Sequence, residues 1–354
     1  MPSSQLPSSQ LPSSQLPSTV PLKSTSASPP TQSQPTRSQP ADSIVSVQNL
    51  TKRFGNTPVL RGITLSVQRG TVLGVLGPNG AGKTTAINCL TTLLTPDSGT
   101  ATIAGYDVVR QPEAVRSLIG LTGQFAAVDE ILTARENLIL FGRLLRLSRK
   151  AAHDRADELL TQFDLSEAAN RQVKTFSGGM RRRLDLAASI VVLPLVLFLD
   201  EPTTGLDPRS RQQLWSVVQS LKDRGVTIIL TTQYLEEADA LADQIVVIDH
   251  GQVIAEGTVD ELKDRVGGKF CELRLANLED IPQVKGLLAD MGDIVTGEMS
   301  EGGAIAIAAP KGASTLTEIV LRLESANIAI ADISLRRPSL DDVFFALTGH
   351  TTQV

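Results

Sequence analysis

The sequence is poor in the residues that form disulfide frameworks and metal centres. Its 354 residues include two cysteines, Cys89 and Cys271, and only three histidines. Two cysteines are too few for a disulfide scaffold or for a zinc site built from cysteines. The histidines are too scattered along the sequence to indicate a metal site. The composition therefore excludes small disulfide-rich folds and zinc modules.

Long hydrophobic runs are also missing. The longest uncharged apolar stretch, Leu186–Leu199, has 14 residues and is interrupted by Pro194, whereas a membrane-spanning helix needs about 20. The N-terminus lacks the basic start and apolar run of a secretion signal. The net charge of −5, from 33 basic and 38 acidic residues, argues against a general nucleic-acid binder but not against a local basic patch. We expect a cytosolic protein whose membrane role, if any, comes through a partner.

The first 42 residues differ in composition from the rest of the chain. Pro, Ser and Gln fill 27 of the first 40 positions, and the pentapeptide Pro-Ser-Ser-Gln-Leu occurs three times. Five residues is too short a period for a solenoid repeat. Such a segment cannot bury enough apolar surface to offset the loss of chain entropy. We predict a disordered tail over residues 1–42, which is either inert or an arm that binds a partner.

From residue 43 onward, predicted strands and helices alternate, which indicates an α/β fold. Short apolar runs at Val72–Leu76, Leu195–Leu199 and Val226–Thr231 are typical of buried strands. A helix is predicted over Thr84–Leu94, after a glycine-rich loop that follows the first of these runs. The middle of the chain, about residues 129–192, is mostly helical in pattern. We take residues 43–266 as one domain.

A second, smaller domain is predicted over residues 267–347, with Gly267-Gly268 as the linker. The pattern after the linker is strand, helix, strand, strand, helix, strand, from Phe270 to Leu335. This βαββαβ order is that of the ferredoxin-like fold. A last short helix, Leu340–Leu347, is expected to pack back on the body of the protein.

A glycine-rich loop between a predicted strand and a predicted helix indicates a phosphate-binding site, because it matches the pattern G-x-x-x-x-G-K-[ST]. Its glycines let backbone N–H groups surround phosphate oxygens, and the following helix points its positive end at the same anion. The lysine adds charge at the β and γ phosphates, which also makes it a candidate catalytic residue, and the threonine offers a hydroxyl to Mg²⁺. The candidate nucleotide-binding residues are Gly77, Pro78, Asn79, Gly80, Ala81, Gly82, Lys83, Thr84 and Thr85.

Two carboxylates follow the predicted strand Leu195–Leu199. In P-loop proteins the first acid, here Asp200, holds Mg²⁺. The second, Glu201, is a candidate general base that would face the attacking water. The sequence contains no Asn-Lys-x-Asp motif of the kind that recognises guanine, which counts against a GTPase.

A second anion site is predicted at Ser177-Gly178-Gly179. Serine is a good helix N-cap residue, and the two glycines leave the backbone bare at the start of the helix. One chain thus carries two half-sites for one nucleotide, and the economical interpretation is a head-to-tail pair of chains. We expect the arginines at 181–183 to be helix-surface and interface charge rather than a nucleic-acid site.

Together these motifs resemble those of the ATP-binding cassette (ABC) family over about residues 43–266. The resemblance implies a P-loop cassette with a RecA-like core, an antiparallel β subdomain and a helical subdomain at about 125–175. It implies that Gln124 contacts Mg²⁺ and the attacking water, and that Asp207 lies in a loop that crosses the dimer interface. It also implies that Phe54 stacks on adenine; the alternative for Phe54 is a core residue at a strand end.

Two positions depart from the family pattern. The signature, usually Leu-Ser-Gly-Gly-Gln, stands here as Phe176–Met180. After the strand Val226–Leu230 the family usually has a histidine that contacts the γ-phosphate, and Gln233 takes that catalytic place. A glutamine amide can donate a hydrogen bond to a phosphate oxygen, but it cannot become cationic or relay a proton. This puts a histidine-dependent mechanism in doubt, but not one based on Glu201.

Three further stretches resemble the ATP-binding subunits of daunorubicin-resistance exporters of the ABC-2 class: Gly120–Asp129, Thr231–Asp239 and Arg336–Phe344. The resemblance implies a homodimeric ATPase that binds ATP and Mg²⁺ and energises a separate ABC-2 permease, which exports a drug, antibiotic or lipid-like substrate. It implies a peripheral position on the cytoplasmic face of the cell membrane and no nucleic-acid partner. The alternative is a soluble ABC ATPase without a transport role, for example one that acts in cluster assembly.

Overall fold

The computed structural model describes residues 43–123, 127–266, 269–291, 294–295, 305–337, 339–340 and 343–344. Several predictions concern residues outside these ranges: the tail over residues 1–42, Gln124, the Gly267-Gly268 linker and most of the last helix.

Strands and helices follow one another in the order of an α/β protein. The described strands are β1 (Ser43–Phe54), β2 (Thr57–Gln68), β3 (Val72–Leu76), β4 (Ser98–Ile103), β5 (Tyr106–Asp107), β6 (Ile119–Thr122), β7 (Val196–Asp200), β8 (Thr227–Thr232), β9 (Gln244–Asp249), β10 (Gln252–Gly257), β11 (Phe270–Leu275), β12 (Ile294–Val295), β13 (Ile305–Ala308) and β14 (Ile330–Arg336). The described helices are α1 (Lys83–Leu90), α2 (Pro112–Leu118), α3 (Ala134–Leu144), α4 (Arg149–Gln162), α5 (Gly178–Ser189), α6 (Pro208–Asp223), α7 (Leu235–Leu241), α8 (Val259–Val266), α9 (Ile281–Leu287) and α10 (Ala313–Ser325).

A six-stranded sheet in the order β10-β9-β3-β8-β7-β6 carries the phosphate loop. Its neighbouring strands are parallel, except that β10 pairs antiparallel with β9. Every residue of β3, β7 and β8 is buried, which explains their unbroken apolar sequences, since both faces of a parallel sheet are covered. Parallel strands end at the same edge, so the loops after β3, β7 and β8 lie together there.

A four-stranded antiparallel sheet in the order β2-β1-β4-β5 forms a second layer, which confirms the predicted antiparallel β subdomain. Along β1, Val45 and Val47 are buried, whereas Ser46 between them is half-buried and Gln48 is exposed, as expected for a sheet covered on one face. These valines share a core cluster with Ile87 and Leu90 of α1. That helix ends four residues earlier than predicted, where Thr92 adopts a left-handed conformation with φ +66°.

Helices α3, α4 and α5 form a mainly helical region, as the sequence predicts. Thr133 and Glu136 form a capping box at the start of α3, which satisfies two backbone N–H groups. Ser148 caps α4 by accepting a hydrogen bond from the N–H of Ala151. Phe163, which follows α4 and is 1% exposed, is one of the largest side chains in the core of this region.

The C-terminal strands form their own antiparallel sheet in the order β12-β13-β11-β14. With α9 and α10 between the strands, this is the predicted βαββαβ order, and β11 pairs with both β13 and β14. Buried Leu273, Ile307, Ile319 and Leu323 belong to a separate core cluster.

The residues after β14 return to the nucleotide-binding region, as predicted. Leu340, Val343 and Phe344 are buried in one cluster with Leu76 at the end of β3 and Leu235 at the start of α7. An ion pair between Arg337 and Asp260 of α8, at 3.3 Å, joins the same two parts of the chain.

The buried position of Phe163 gives a stability test of the helical region. We expect Phe163→Ala to lower the free energy of unfolding by about 3–5 kcal/mol, since the aromatic side chain is removed from a filled core. Leu144→Ala, on a side chain that is 68% exposed in the same region, should change stability by less than about 0.5 kcal/mol. Urea unfolding followed by circular dichroism measures both, and equal losses would contradict the assigned core.

Candidate functional site

The glycine-rich loop lies between β3 and α1, as its motif predicts. Lys83 is the first residue of α1 and is 4% exposed. Its Nζ donates hydrogen bonds to the backbone oxygens of Gly77, at 2.8 Å, and Pro78, at 3.2 Å. The ammonium group thus lies inside the curve of the loop, where it can reach phosphate oxygens held by the loop.

Two glycines of this loop cannot be replaced without displacing a neighbour. A Cβ on Gly77 would stand 2.2 Å from the backbone oxygen of Ile248. Gly82 has φ +107°, and a Cβ there would stand 2.9 Å from Leu60 Cδ2. The backbone of the loop is therefore packed against β9 and β2. At its tip Asn79 and Gly80 are exposed.

Two acidic residues at the end of β7 face the loop. The Asp200 carboxylate is 3% exposed and its Oδ1 accepts hydrogen bonds from Thr84 Oγ1, at 3.3 Å, and Thr231 Oγ1, at 2.5 Å. The Glu201 Oε1 atom lies 3.6 Å from Lys83 Nζ. Burial lowers the pKa of Lys83, and the two carboxylates oppose that shift. The loop lysine, a hydroxyl and two carboxylates thus converge at one edge of the sheet.

The backbone at Glu201 is strained. Its φ of +48° is in the left-handed region, which a residue with a side chain adopts at a cost of about 1–3 kcal/mol. The Glu201 N–H donates to the Thr231 hydroxyl at 3.0 Å and to its backbone oxygen at 3.1 Å. The bend turns the chain sharply after β7 and carries the Glu201 carboxylate to the lysine.

The predicted second anion site is an exposed helix start. Ser177 caps α5, with its hydroxyl accepting a hydrogen bond from the N–H of Met180 at 3.2 Å, which confirms the predicted N-cap. Gly178 is exposed and nothing lies within 4 Å of its Cβ position. Gly179 packs closely on Ser210 of α6, 2.7 Å from the Ser210 Oγ to its Cβ position.

Asp207 lies beside this helix start. It is the exposed N-cap residue of α6 and accepts hydrogen bonds from the Ser210 hydroxyl, at 2.6 Å, and the Ser210 N–H, at 3.0 Å. These bonds lower the pKa of the Asp207 carboxyl. Because Ser210 also contacts Gly179, the Ser177 segment and Asp207 belong to one patch of the surface.

Two other candidate residues, Gln233 and Phe54, lie at the ends of strands. Gln233 follows β8 directly and is half-buried. Phe54 ends β1 with its side chain 49% exposed, so it is not a core residue, and Lys52 Nζ lies 5.8 Å from its ring centroid. Gln124 lies outside the described residues, although Gly123 before it is described.

The prediction that the arginine run is helix-surface charge was wrong for Arg182 and Arg183. Arg182 and Arg183 have side chains that are 11% and 12% exposed, and Arg181 is 36% exposed and pairs with Glu130 at 2.8 Å. The guanidinium groups of Arg182 and Arg183 donate to backbone oxygens inside the protein. These arginines bind the helix to its surroundings, because buried backbone oxygens need donors.

Sequence reasoning also missed Glu237, a fully buried residue of α7 close to the site. Trp215 Nε1 donates to Glu237 Oε1 at 3.4 Å. Burial raises the pKa of the Glu237 carboxyl to about 7, although nearby donors and Arg211 oppose the shift. The available signal was its position on a short helix four residues before Leu241, because residues i and i+4 share one helix face.

The raised pKa of Glu237 predicts how stability changes with pH. The pKa is about 7 in the folded chain against a usual value of 4.5, so the folded state binds a proton that the unfolded state has released. This contribution to stability is present at low pH and is lost as pH rises through 7. We expect Glu237→Gln, which stays neutral, to be more stable than the wild type at pH 8, by up to about 3 kcal/mol, and nearly equal to it at pH 4.5.

The measurement is urea unfolding at both pH values. Glu236→Gln is the matched control, since that carboxylate is 74% exposed. A Glu237→Gln variant that is equally destabilised at both pH values would contradict the assignment.

Comparison with known proteins agrees with this geometry. A family model described as "ABC transporter" matches residues 60–204. The daunorubicin resistance ATP-binding protein DrrA2 of Streptomyces coeruleorubidus is 52% identical over 309 residues, which cover 87% of this chain and 96% of that protein. The doxorubicin resistance ATP-binding protein DrrA of Mycobacterium tuberculosis is 50% identical over 319 residues, covering 88% and 96%.

Comparison with solved structures also finds the fold of an ATP-binding cassette. A dimeric ATP-binding cassette in a post-hydrolysis state, bound to ADP and phosphate, superposes with a TM-score of 0.57 at 25% identity, and covers 60% of this chain and 98% of that one. Among the residues that the structure describes, no helix has the length and hydropathy to cross a membrane. The chain therefore belongs to the ABC transporter family, as an ATP-binding subunit of the daunorubicin-resistance type, and it is an ATPase that drives transport.

Proposed function

We propose that two copies of this chain bind two ATP molecules between them, each held by the Lys83 loop of one copy and the Ser177 segment of the other. The observation that carries the proposal is that one chain has two helix starts suited to phosphate. One has a lysine and two carboxylates beside it, whereas the other is bare and exposed at Gly178. A site with phosphate-binding amides but no catalytic groups is completed by a second copy.

Hydrolysis in this proposal uses Glu201 as the general base. Its carboxylate accepts a proton from a water molecule as the water oxygen attacks the γ-phosphorus. The bond from that phosphorus to the bridging oxygen of ADP breaks, and ADP and phosphate are released. Lys83, at 3.6 Å from Glu201 Oε1, is placed to stabilise the charge on the transferred group.

Mg²⁺ is proposed at Thr84 and Asp200. Thr84 Oγ1 and Asp200 Oδ1 are 3.3 Å apart. Two oxygen ligands at this separation suit a small, hard cation such as Mg²⁺. When bound, Mg²⁺ neutralises charge on the β and γ phosphates. We include Gln124 among its ligands on the family resemblance alone.

Two peripheral residues complete the proposed nucleotide site. The exposed ring of Phe54, at the end of β1, is available to stack on adenine. Gln233, which follows β8, would donate its amide N–H to a γ-phosphate oxygen.

The proposed cellular role is export. The relatives that cover most of this chain carry names of daunorubicin and doxorubicin resistance, and we propose that this chain energises an ABC-2 permease that expels a drug-like substrate. It would do so from the cytoplasmic face of the membrane. Residues 43–266 would form the motor domain, and residues 267–347 an accessory domain that stabilises or regulates the dimer.

Replacing the proposed base tests the mechanism. We expect Glu201→Gln to reduce the ATPase rate by at least about 100-fold, because the amide cannot accept the proton. The same variant should form a dimer with ATP, seen by light scattering, since the nucleotide is bound but not consumed. Glu167→Gln, an exposed carboxylate in the helical region, should leave both properties unchanged. A Glu201→Gln variant that stays monomeric with ATP would argue against the composite site.

Mixing two inactive variants tests whether each site needs both copies. Lys83→Ala removes the loop charge and Ser177→Arg blocks the second half-site, so each variant alone should be inactive. A mixed dimer contains one intact site, so mixing under exchange conditions should restore ATPase activity. The two unmixed variants are the controls, and an inactive mixture would refute the shared site.

A further inference from the structure

Arg182 occupies an unusual position in the site, which neither the motifs nor the relatives' names assign. It lies on α5, five residues after Ser177, and its guanidinium donates to four backbone oxygens from two separate segments. Those acceptors are Gly123, at 2.5 Å, Asp200, at 3.0 Å, Glu201, at 3.2 Å, and Pro202, at 3.0 Å. Three of the four belong to the end of β7 and the strained turn that follows it.

The hydrogen bonds from Arg182 help to hold the strained turn at Glu201 in place. A residue held at positive φ persists only where its surroundings fix it. The N–H of Glu201 is fixed by Thr231, and the oxygen of Glu201 is fixed by Arg182. The turn is therefore held on both sides, and the carboxylate that projects from it is kept 3.6 Å from Lys83 Nζ.

Asp185, one turn further along α5, forms an ion pair with the guanidinium. Its Oδ2 lies 3.9 Å from Arg182 Nη1, and its Oδ1 accepts a hydrogen bond from the N–H of Ala127 at 2.7 Å. The side chain is 4% exposed, so the arginine is the charge partner that such burial requires. Through these two side chains α5 is bound to Gly123 and to Ala127.

We propose that Arg182, paired with Asp185, is a positioning residue for ATP hydrolysis: its guanidinium fixes the backbone turn that holds the Glu201 carboxylate against Lys83. The inference rests on the proposed role of Glu201 as base. In this proposal, helix α5 connects the exposed Ser177 at its start to the turn that carries the proposed base, Glu201. Lysine cannot substitute, because a single ammonium group does not span four carbonyl oxygens in the way that a planar guanidinium does.

Arg183 provides a matched comparison. It lies on the same helix and is equally buried, but it donates to the backbone oxygens of Phe163, at 3.0 Å, and Asp164, at 3.4 Å, at the end of α4. Its loss should therefore affect stability without affecting the base.

The test compares Arg182→Gln/Asp185→Asn with Arg183→Gln in the full chain. The double variant leaves no unpaired buried charge, and an asparagine Oδ1 can still accept from Ala127. We expect it to bind a fluorescent ATP analogue within about 3-fold of the wild-type Kd, whereas kcat falls about 10- to 100-fold because the base is misplaced. Arg183→Gln should keep kcat within about 2-fold, even where its Tm is lower.

Restoration by lysine adds a second readout. Compared with the double variant, Arg182→Lys should have a Tm close to that of the wild type, whereas its kcat should stay low. A double variant with wild-type kcat, or an Arg183→Gln variant with the same loss of kcat, would overturn the inference. Glu201→Gln measured alongside separates the two proposals: if it hydrolyses ATP normally, the role of Glu201 fails, whereas if it is inactive and the double variant is fully active, only the role of Arg182 fails.

Discussion

The hydrogen bonds of the Asp200 carboxylate are the interactions on which the arrangement of the candidate site depends. The carboxylate accepts hydrogen bonds from Thr84 on α1 and from Thr231 on β8, so it joins the end of β7 to helix α1 and to β8. Thr231 in turn accepts the N–H of Glu201. The register of β7 on β8, which sets Asp200 against Thr231, therefore decides where the Glu201 carboxylate, the proposed base, stands relative to Lys83. A buried network of this kind is rigid when all its members are satisfied.

Much of the fold could be predicted from the sequence because its signals are local. The apolar runs of β3, β7 and β8, the glycine loop and the N-cap at Ser177 each show their structure within a few residues. The C-terminal βαββαβ order also follows from the alternation of short patterns. The end of α1 was misplaced because the left-handed turn at Thr92 carries no glycine signal.

The missed residues depend on contacts between distant parts of the chain. Arg182 reaches Gly123, 59 positions earlier, and Asp200, 18 positions later, and no periodicity shows such a pairing. In sequence it is one of three arginines and looks like surface charge. The only local signal was Asp185, an acid three residues later in an otherwise apolar stretch, since a buried carboxylate needs a partner. In the two proposals helix α5 therefore has two roles: its exposed start meets a second copy, and its buried middle holds the turn that carries Glu201.

The dependence of the ATPase rate on protein concentration tests the central claim, that one copy cannot complete hydrolysis alone. Specific activity should be measured at saturating ATP over a range of concentrations in which sedimentation velocity shows the chain passing from monomer to dimer. We expect the rate per chain to be near zero where the protein is monomeric and to rise to a plateau in step with the dimer fraction. A rate per chain that stays constant and full for a strictly monomeric preparation would contradict it.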